Sequence, residues 1–170
     1  MSTATHVPVT MKMRFSSLNM YGASRSTTLR GRLPWRTVRS NVELIAELHG
    51  IEKAERERRV RGVIDLVGLA GFEDKYPKQL SGGMKMRASI ARALVTKPAL
   101  LLMDEPFAAL DEITRHKLNR DLLALQAELG MTVIFVTHSV YESAFLSSRI
   151  CVFSPRPGQI VETIRVDAPA

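Results

Sequence analysis

Residues 80–111 read LSGGMKMRASIARALVTKPALLLMDEPFAALD, and this stretch decides the fold. The Ser-Gly-Gly run at 81–83 opens a predicted helix, whose apolar face includes Ile90 and Leu94. Pro98 marks the end of this helix, because proline has no N–H with which to continue the hydrogen-bond ladder. The pattern therefore predicts a loop, a helix and a stop.

A short apolar segment with two acids at its end follows the stop. Ala99 to Met103 is an unbroken apolar run, typical of a parallel strand that is covered on both faces. Asp104 and Glu105 come directly after it, and Pro106 follows them. In open α/β sheets, ligands bind outside the carboxyl ends of the strands. Paired carboxylates at this position indicate a bound metal ion and an activated water molecule.

The next two elements extend the same pattern to a histidine. Asp111 is a predicted N-cap for a helix over 112–129, and Gly130 is its stop. MTVIFVT at 131–137 reads as a second buried strand. A right-handed strand–helix–strand crossover then places His138 on the sheet edge that carries the two acids. The helix has apolar residues at near-helical spacing, namely Ile113, Leu118, Leu122, Leu125 and Leu129.

The flanking segments predict further helices and strands. Asn41 is a predicted cap for a helix that ends at Gly50, and a second helix covers 52–67. After His138, a short helix over 141–148 precedes strands at 149–153 and 160–166. The second helix carries Glu–Arg pairs at i,i+4, which are Glu52/Arg56, Glu55/Arg59 and Glu57/Arg61.

Four segments in this order resemble the ATPases of ATP-binding cassette (ABC) transporters, over a region from about Leu33 to Val166. The similar segments are LSGG at 80–83 (signature motif), LLLMDEP at 100–106 (Walker B strand), Ala-Leu-Asp at 109–111 (D-loop) and His138 (switch histidine). The resemblance implies an α/β fold, a partial P-loop NTPase-like sheet flanked by helices, with an α-helical subdomain.

The resemblance also implies binding of ATP and Mg²⁺. Asp104 would hold Mg²⁺, Glu105 would polarise the attacking water, and His138 would contact the γ-phosphate. The signature residues would grip the γ-phosphate of a nucleotide held by a second subunit, and the D-loop would contribute its aspartate. These further nucleotide-binding residues are Ser81, Gly82, Gly83 and Asp111.

Two elements of the family are absent from the sequence. None of the ten glycines is followed by lysine, so the P-loop, G-x-x-x-x-G-K-[ST], whose N–H groups and lysine cradle the phosphates, is missing. Thr27 and Thr28 stand where the Q-loop ordinarily reads Phe-Gln. We therefore expect no ATP hydrolysis by this chain alone. We also expect the strands at 100–103 and 133–136 to lose a covering layer.

The resemblance divides the chain into three parts. Residues 1–32 are a basic leader that matches nothing in the family and is expected to be disordered. Residues 33–80 hold a Q-loop remnant and the helical subdomain, whose surface docks on transmembrane subunits in the family. Trp35 lies either at that contact or in the core. Residues 81–170 hold the signature helix, Walker B, the D-loop and the switch histidine of the ATPase core.

Composition limits the remaining function classes. With 170 residues and 45% hydrophobic side chains, one domain is expected, and no apolar run approaches the ~20 residues of a membrane helix. The single Cys151 excludes an internal disulfide and reads as a small core residue on a late strand. The net charge is +7, but residues 1–42 contain no acid and seven bases, and the remainder is balanced. The seven bases are Lys12, Arg14, Arg25, Arg30, Arg32, Arg36 and Arg39.

This charge distribution favours a neutral domain behind a basic leader over a nucleic-acid-binding protein. The leader itself is open to three interpretations: a segment foreign to the domain, an Arg- and Ser-rich transit-like segment, or a nucleic-acid arm.

The signature segment narrows the family branch. Met84 and Met86 replace two glutamines that are common there, and this variant is similar to importers of nitrate, sulfonates, taurine or pyrimidine-type precursors. The resemblance implies an ATP-binding subunit, or a truncated copy of one, on the cytoplasmic face of the cell membrane. Its partners would be transmembrane permease subunits, a second ATPase subunit and, indirectly, a periplasmic solute-binding protein. The alternative is a non-catalytic regulatory module that supplies only its signature motif to a partner ATPase.

Overall fold

Strands and helices alternate between residues 82 and 153 in the part of the chain that the structure describes. The computed structural model describes residues 9–12, 26–28, 33–155 and 157–166. In chain order the elements are β1 (Val9–Lys12), β2 (Ser26–Thr28), α1 (Val38–Leu48), α2 (Lys53–Leu66), a 3-10 turn (Pro77–Gln79), α3 (Gly82–Leu94), β3 (Leu100–Asp104), α4 (Glu112–Leu129), β4 (Thr132–Thr137), α5 (Val140–Leu146), β5 (Arg149–Phe153) and β6 (Ile160–Arg165). None of the described helices is long and apolar enough to cross a membrane.

The strands form one mixed sheet in the order β2-β3-β4-β1-β5-β6. The first three strands in this order are parallel, and the register sets Leu101 opposite Val133 and Met103 opposite Phe135. β1 is antiparallel to both β4 and β5, and β6 is antiparallel to β5. The predicted β3–α4–β4 unit is present, and the α/β fold with a partial P-loop NTPase-like sheet is confirmed.

Local capping fixes the ends of the two helices around β3. Ser81 precedes α3, and its hydroxyl oxygen accepts a hydrogen bond from the N–H of Met84 at 3.3 Å. The Asp111 carboxylate accepts one from the N–H of Thr114 at 2.9 Å at the start of α4. Gly130 ends α4 in the left-handed conformation, at φ 60°. The helix predicted over 112–129 and both of its end signals are confirmed.

The start of α1 differs from the prediction. Thr37 caps this helix, and Asn41 lies inside it with only 3% of its surface exposed. The Asn41 amide donates to the carbonyl of Arg36 at 2.8 Å, and its side-chain oxygen accepts the N–H of Leu33 at 2.9 Å. Asn41 therefore ties the preceding loop onto the helix rather than capping it.

Helix α2 forms only some of the ion pairs that its charge pattern predicted. Of the three predicted pairs, only Glu55–Arg59, at 2.6 Å, is an ion pair in the described structure. Arg56 pairs instead with Glu43 of α1 at 3.2 Å, and Glu52 is the N-cap of α2. The partner of Arg56 is thus set by the packing of α1 against α2 and not by helical spacing.

The core lies on one face of the sheet. Leu101, Met103, Val133 and Phe135 are each at most 1% exposed, and they belong to a cluster with buried residues of α3 and α4. The alternate residues of the same strands, Leu100, Leu102, Ile134 and Val136, are only half-buried. β3 is therefore not covered on both faces as its composition predicted. The half-buried side chains on the second face agree with the expectation that these strands lose a covering layer.

Some apolar residues lie outside the core against expectation. Ile113 is 84% exposed and Leu129 44% exposed, so only the middle of the predicted apolar stripe of α4 is buried. Trp35 is 70% exposed, which excludes a core position for it. Cys151 is half-buried on β5, the late strand on which it was predicted. All six residues of β6 are exposed, although one face of this strand was expected to be buried.

Two short strands lie within residues 1–32, where the sequence has no strand period. The sheet register places Thr10 of β1 opposite Val136 and Thr28 of β2 opposite Leu102. The sheet therefore includes two short segments of the leader, for which the sequence predicted disorder. The predicted disorder of the remaining leader falls on residues outside those that the structure describes.

Candidate functional site

The predicted acids and histidine meet at the carboxyl edge of the parallel strands. Asp104 is the last residue of β3, Glu105 follows it, and His138 comes directly after β4. The Nδ1 atom of His138 lies 3.2 Å from Oε1 of Glu105, and both side chains are 48% exposed. The convergence expected from the crossover is present, and the pair is accessible to a ligand.

Glu105 adopts a strained backbone conformation. Its φ is 41°, in the left-handed region that non-glycine residues rarely adopt. Its N–H donates to the carbonyl of Val136 at 2.8 Å, so a hydrogen bond to β4 holds the turn in place. Such strain costs about 1–3 kcal/mol and persists where the surrounding structure imposes it, often at active sites. In this conformation the carboxylate of Glu105 lies next to the ring of His138.

The donor groups at this edge fit Mg²⁺ bound together with phosphates. Mg²⁺ in proteins usually takes one or two carboxylates and completes its shell with water and substrate phosphate oxygens. The exposed Asp104 offers such a carboxylate beside Glu105. The described residues contain no group of three or more His, Cys, Asp or Glu that could hold a metal by itself. Asp104 therefore suits a metal ion that arrives with a nucleotide.

The interior behind this edge has no room for a nucleotide. The cavity beside Glu105, His138 and Ala108 measures about 10 Å³, which is close to the volume that one water molecule occupies. A nucleotide bound at this edge would lie outside the sheet. The sequence contains no P-loop that would hold its phosphates.

The second group of predicted site residues lies at the start of α3. Ser81 and Gly82 are exposed, and Gly83 is buried. Backbone N–H groups at a helix N-terminus attract anions, because they have no partner within the helix and the helix dipole adds positive charge. The Ser81 hydroxyl oxygen already accepts the N–H of Met84. Its own proton and the exposed backbone remain to bind a phosphate.

The two signature glycines lie close to other side chains of this chain. A Cβ atom on Gly82 would lie 3.0 Å from Cδ2 of Leu110, and one on Gly83 would lie 2.8 Å from Cγ2 of Thr114. The start of α3 therefore packs against the segment 109–111 and α4, a contact that no sequence motif marked.

We expect Gly83→Ala to destabilise the protein by about 1–3 kcal/mol, as overpacking does at a close contact. Thr114 is β-branched and stiff, so its methyl group does not turn away from the new Cβ. Thr114→Ser removes that methyl group and keeps the hydroxyl, and it should restore most of the loss in the double variant. Urea unfolding of the variants measures these free energies.

Gly62→Ala is the matched control for this prediction. Gly62 lies in α2, and a Cβ atom there would meet nothing within 4 Å. Alanine should therefore stabilise the helix by up to about 1 kcal/mol. Equal effects of the two alanine substitutions would contradict a specific clash at Gly83.

The Asp111 carboxylate caps the N-terminus of α4. The backbone N–H of Thr114 and then its hydroxyl bond the carboxylate, and they hold the pKa of Asp111 below its usual range. Because the pKa is lower in the folded state, this bond stabilises the fold at neutral pH, and the contribution is lost as the pH falls through the acid range. The aspartate of the segment 109–111 therefore fixes the start of α4, while Leu110 contacts the signature glycine Gly82.

Sequence reasoning missed three polar residues next to the site. Thr137 and Glu142 are 3% and 4% exposed, and Arg115 reaches the carbonyl of Leu110. The one available signal is an acid at 142 in a short and mostly apolar helix, four positions after His138. Their contacts depend on tertiary packing, which spacing alone does not predict.

Comparison with known proteins agrees with the geometry. The profile of the ABC transporter family matches residues 15–108, so the match includes part of the leader and the acids Asp104 and Glu105. An uncharacterized ABC transporter ATP-binding protein of Methanocaldococcus jannaschii is 52% identical over 135 residues, 79% of this chain and 51% of that protein.

Two further relatives carry names that describe import. The taurine import ATP-binding protein TauB of Yersinia pestis is 45% identical over 137 residues, 81% of this chain and 54% of that protein. The nitrate import ATP-binding protein NrtC of Synechococcus elongatus is 46% identical over 140 residues, 81% of this chain and 21% of that protein. The chain spans about half the length, or less, of these relatives. The family match covers more than half of this chain, and the chain belongs to the ABC transporter family of ATP-binding proteins.

Proposed function

We propose that this chain is the ATP-binding subunit, or a truncated copy of one, of an ABC importer. It would couple the binding and hydrolysis of ATP to the uptake of a solute. The observation that carries the proposal is the contact of His138 with Glu105, at 3.2 Å, beside Asp104 at the carboxyl edge of the sheet. An acid, a histidine and a second carboxylate at one edge of the sheet support a role in phosphoryl transfer.

The residues at the sheet edge have separate roles in this proposal. Glu105 orients the attacking water and accepts its proton, and His138 holds the carboxylate in place and contacts the γ-phosphate. Asp104 binds Mg²⁺, which neutralises charge on the phosphates when it is bound. The backbone at Ser81, Gly82 and Gly83 binds the γ-phosphate of a nucleotide held by a second subunit.

Hydrolysis in this proposal needs more than one chain. The sequence lacks a P-loop, and the cavity behind Glu105 and His138 has about 10 Å³. This chain alone therefore lacks a cradle for ATP, and hydrolysis beside Glu105 needs a P-loop that another polypeptide supplies. We propose a second ATP-binding subunit as a direct partner, whose nucleotide the signature segment of this chain contacts. We propose transmembrane permease subunits as the other direct partners, with the chain on the cytoplasmic face of the membrane. A periplasmic solute-binding protein would act indirectly, and nucleic acid is not a partner.

The transported solute is proposed from the names of the relatives. TauB is named for taurine import and NrtC for nitrate import, and this chain is 45% and 46% identical to them. Taurine, other sulfonates and nitrate are small solutes that carry a sulfonate or nitrate group. We propose that the transporter served by this chain imports a solute of this class.

Reconstitution tests the proposal. Vesicles would contain the permease subunits and a P-loop-containing second ATP-binding subunit, with or without this chain. ATP-dependent uptake of taurine or nitrate should need this chain and Mg²⁺. Uptake at the same rate without this chain would contradict the proposal.

The missing P-loop favours one alternative function. The chain would then be a non-catalytic regulatory module that supplies only its signature motif to a partner ATPase. Ser81→Arg places a large side chain at the exposed start of α3 and should abolish uptake under either function. Only the catalytic function also requires the carboxylate of Glu105, so an accessory chain should tolerate Glu105→Gln.

A further inference from the structure

A charged pair with a buried carboxylate lies behind the exposed site. Glu142 of α5 is 4% exposed, and its carboxylate accepts a hydrogen bond from the hydroxyl of Thr137 at the end of β4. The Nε atom of Arg115 in α4 lies 3.9 Å from the other carboxylate oxygen. A carboxylate is expensive to bury unless it is paired and hydrogen-bonded. The role proposed above for the sheet edge does not use either charged residue.

One end of this pair reaches the segment 109–111. The Nη2 atom of Arg115 donates to the carbonyl of Leu110 at 3.0 Å. The side chain of Leu110 is the group that approaches Gly82 of the signature segment. Arg115 therefore connects Glu142 to a loop that also packs against the start of α3.

The other end reaches the peptide units around His138. The hydroxyl oxygen of Thr137 accepts the N–H of Ser139 at 3.0 Å, while its proton goes to Glu142. The hydroxyl oxygen of Ser139 accepts the N–H of Glu142 at 3.3 Å. Ser143 donates to the carbonyl of Ser139 at 2.9 Å. The residues on both sides of His138 are thus held by the carboxylate of Glu142 and the first turn of α5.

We propose that Arg115 and Glu142 are positioning residues that couple the segment 109–111 to His138. They act through the Leu110 carbonyl and the Thr137 hydroxyl, and a movement of the loop changes the position of the histidine. The inference rests on the proposed ATP hydrolysis for its functional meaning. The mechanical coupling itself is a property of this chain and can be measured without a nucleotide.

Amide hydrogen exchange on the chain tests the coupling directly. Arg115→Gln breaks the bond to Leu110, and we expect the amide of Ser139 to exchange about tenfold faster. Glu142→Gln should produce a similar increase, and the double variant should exceed neither single variant by much, because the two residues act in one path. Unchanged Ser139 exchange in Arg115→Gln would overturn the coupling.

Arg87→Gln is the matched control. Arg87 forms an ion pair with Asp121 that joins α3 to α4, and it also donates to the carbonyl of Val67. Its loss should lower the melting temperature and leave the exchange of the Ser139 amide unchanged. A tenfold change of Ser139 exchange in this variant as well would mean general loosening and would overturn a specific path.

ATP hydrolysis in the assembled transporter supplies the functional measurement. Glu142→Gln should lower kcat about tenfold and leave the KM for ATP unchanged, because misplaced groups slow the chemical step. If Glu142→Gln has a melting temperature as low as that of Arg87→Gln and an unchanged kcat, the pair has only a structural role. If Glu105→Gln also leaves kcat unchanged, the proposed function fails, while the exchange experiment still decides the coupling.

Discussion

Glu105→Gln in the assembled transporter is expected to lower kcat for ATP hydrolysis by about 10²- to 10⁴-fold, the range that a positioned general base contributes. Glutamine has the size of glutamate and keeps the packing of the turn, but it does not accept a proton at neutral pH. Only the end group of the side chain changes, so we expect the variant to keep the backbone conformation of Glu105, at φ 41°. The KM for ATP should stay nearly constant, because the P-loop that holds the phosphates lies outside this chain.

Glu112→Gln is the control for the loss of one acid. Its side chain is 87% exposed at the start of α4, and Nε2 of His116 lies 3.7 Å from its carboxylate. A surface substitution of this kind should leave kcat and stability almost unchanged. Wild-type turnover in Glu105→Gln, together with lost turnover in Ser81→Arg, would assign this chain the accessory function.

The β3–α4–β4 unit was predictable from local signals. The cap at Asp111, the stop at Gly130 and the apolar runs on either side act over a few residues each. The crossover rule then fixes the sheet edge at which His138 must appear, and the 3.2 Å contact with Glu105 agrees with it. The local patterns predict a site because the topology brings the carboxyl ends of the parallel strands to one edge of the sheet. Both acids and the histidine lie at these ends.

Tertiary contacts decided the features that local signals did not. Thr37 and Asn41 are both good N-cap residues, and the N–H of Val38 bonds the carbonyl of Lys75, which favours the earlier start of α1. The partner of Arg56 is Glu43, thirteen positions away on another helix. Neither contact leaves a pattern in the sequence.

The same limit applies to the burial of the sheet and to the coupling residues. An apolar run such as Leu100–Met103 predicts a buried strand, but whether a second layer covers it depends on segments that lie elsewhere. Arg115 and Glu142 come together only because α4 and α5 pack behind the sheet edge. Their pairing therefore needed the structure.

Phe107→Ala should destabilise the protein by about 3–5 kcal/mol, the cost of emptying a large buried aromatic site. Phe107 is fully buried, and its ring centroid lies 5.4 Å from that of Phe135, with the planes inclined at 55°. Because folded domains are stable by about 5–15 kcal/mol, this loss removes much of the margin. Urea unfolding of the variant and of the parent chain measures the difference.

Two further variants test whether the loss of stability in Phe107→Ala comes from the buried aromatic ring. Phe107→Leu keeps most of the volume and should lose about 1–2 kcal/mol, including the aromatic pair with Phe135. Trp35→Ala removes an exposed aromatic of similar area and should change stability by no more than about 0.5 kcal/mol. The N–H of Leu110 bonds the carbonyl of Phe107, so the ring holds both the turn at Glu105 and the segment 109–111 on the core. A loss below 1 kcal/mol in Phe107→Ala would contradict this anchoring role.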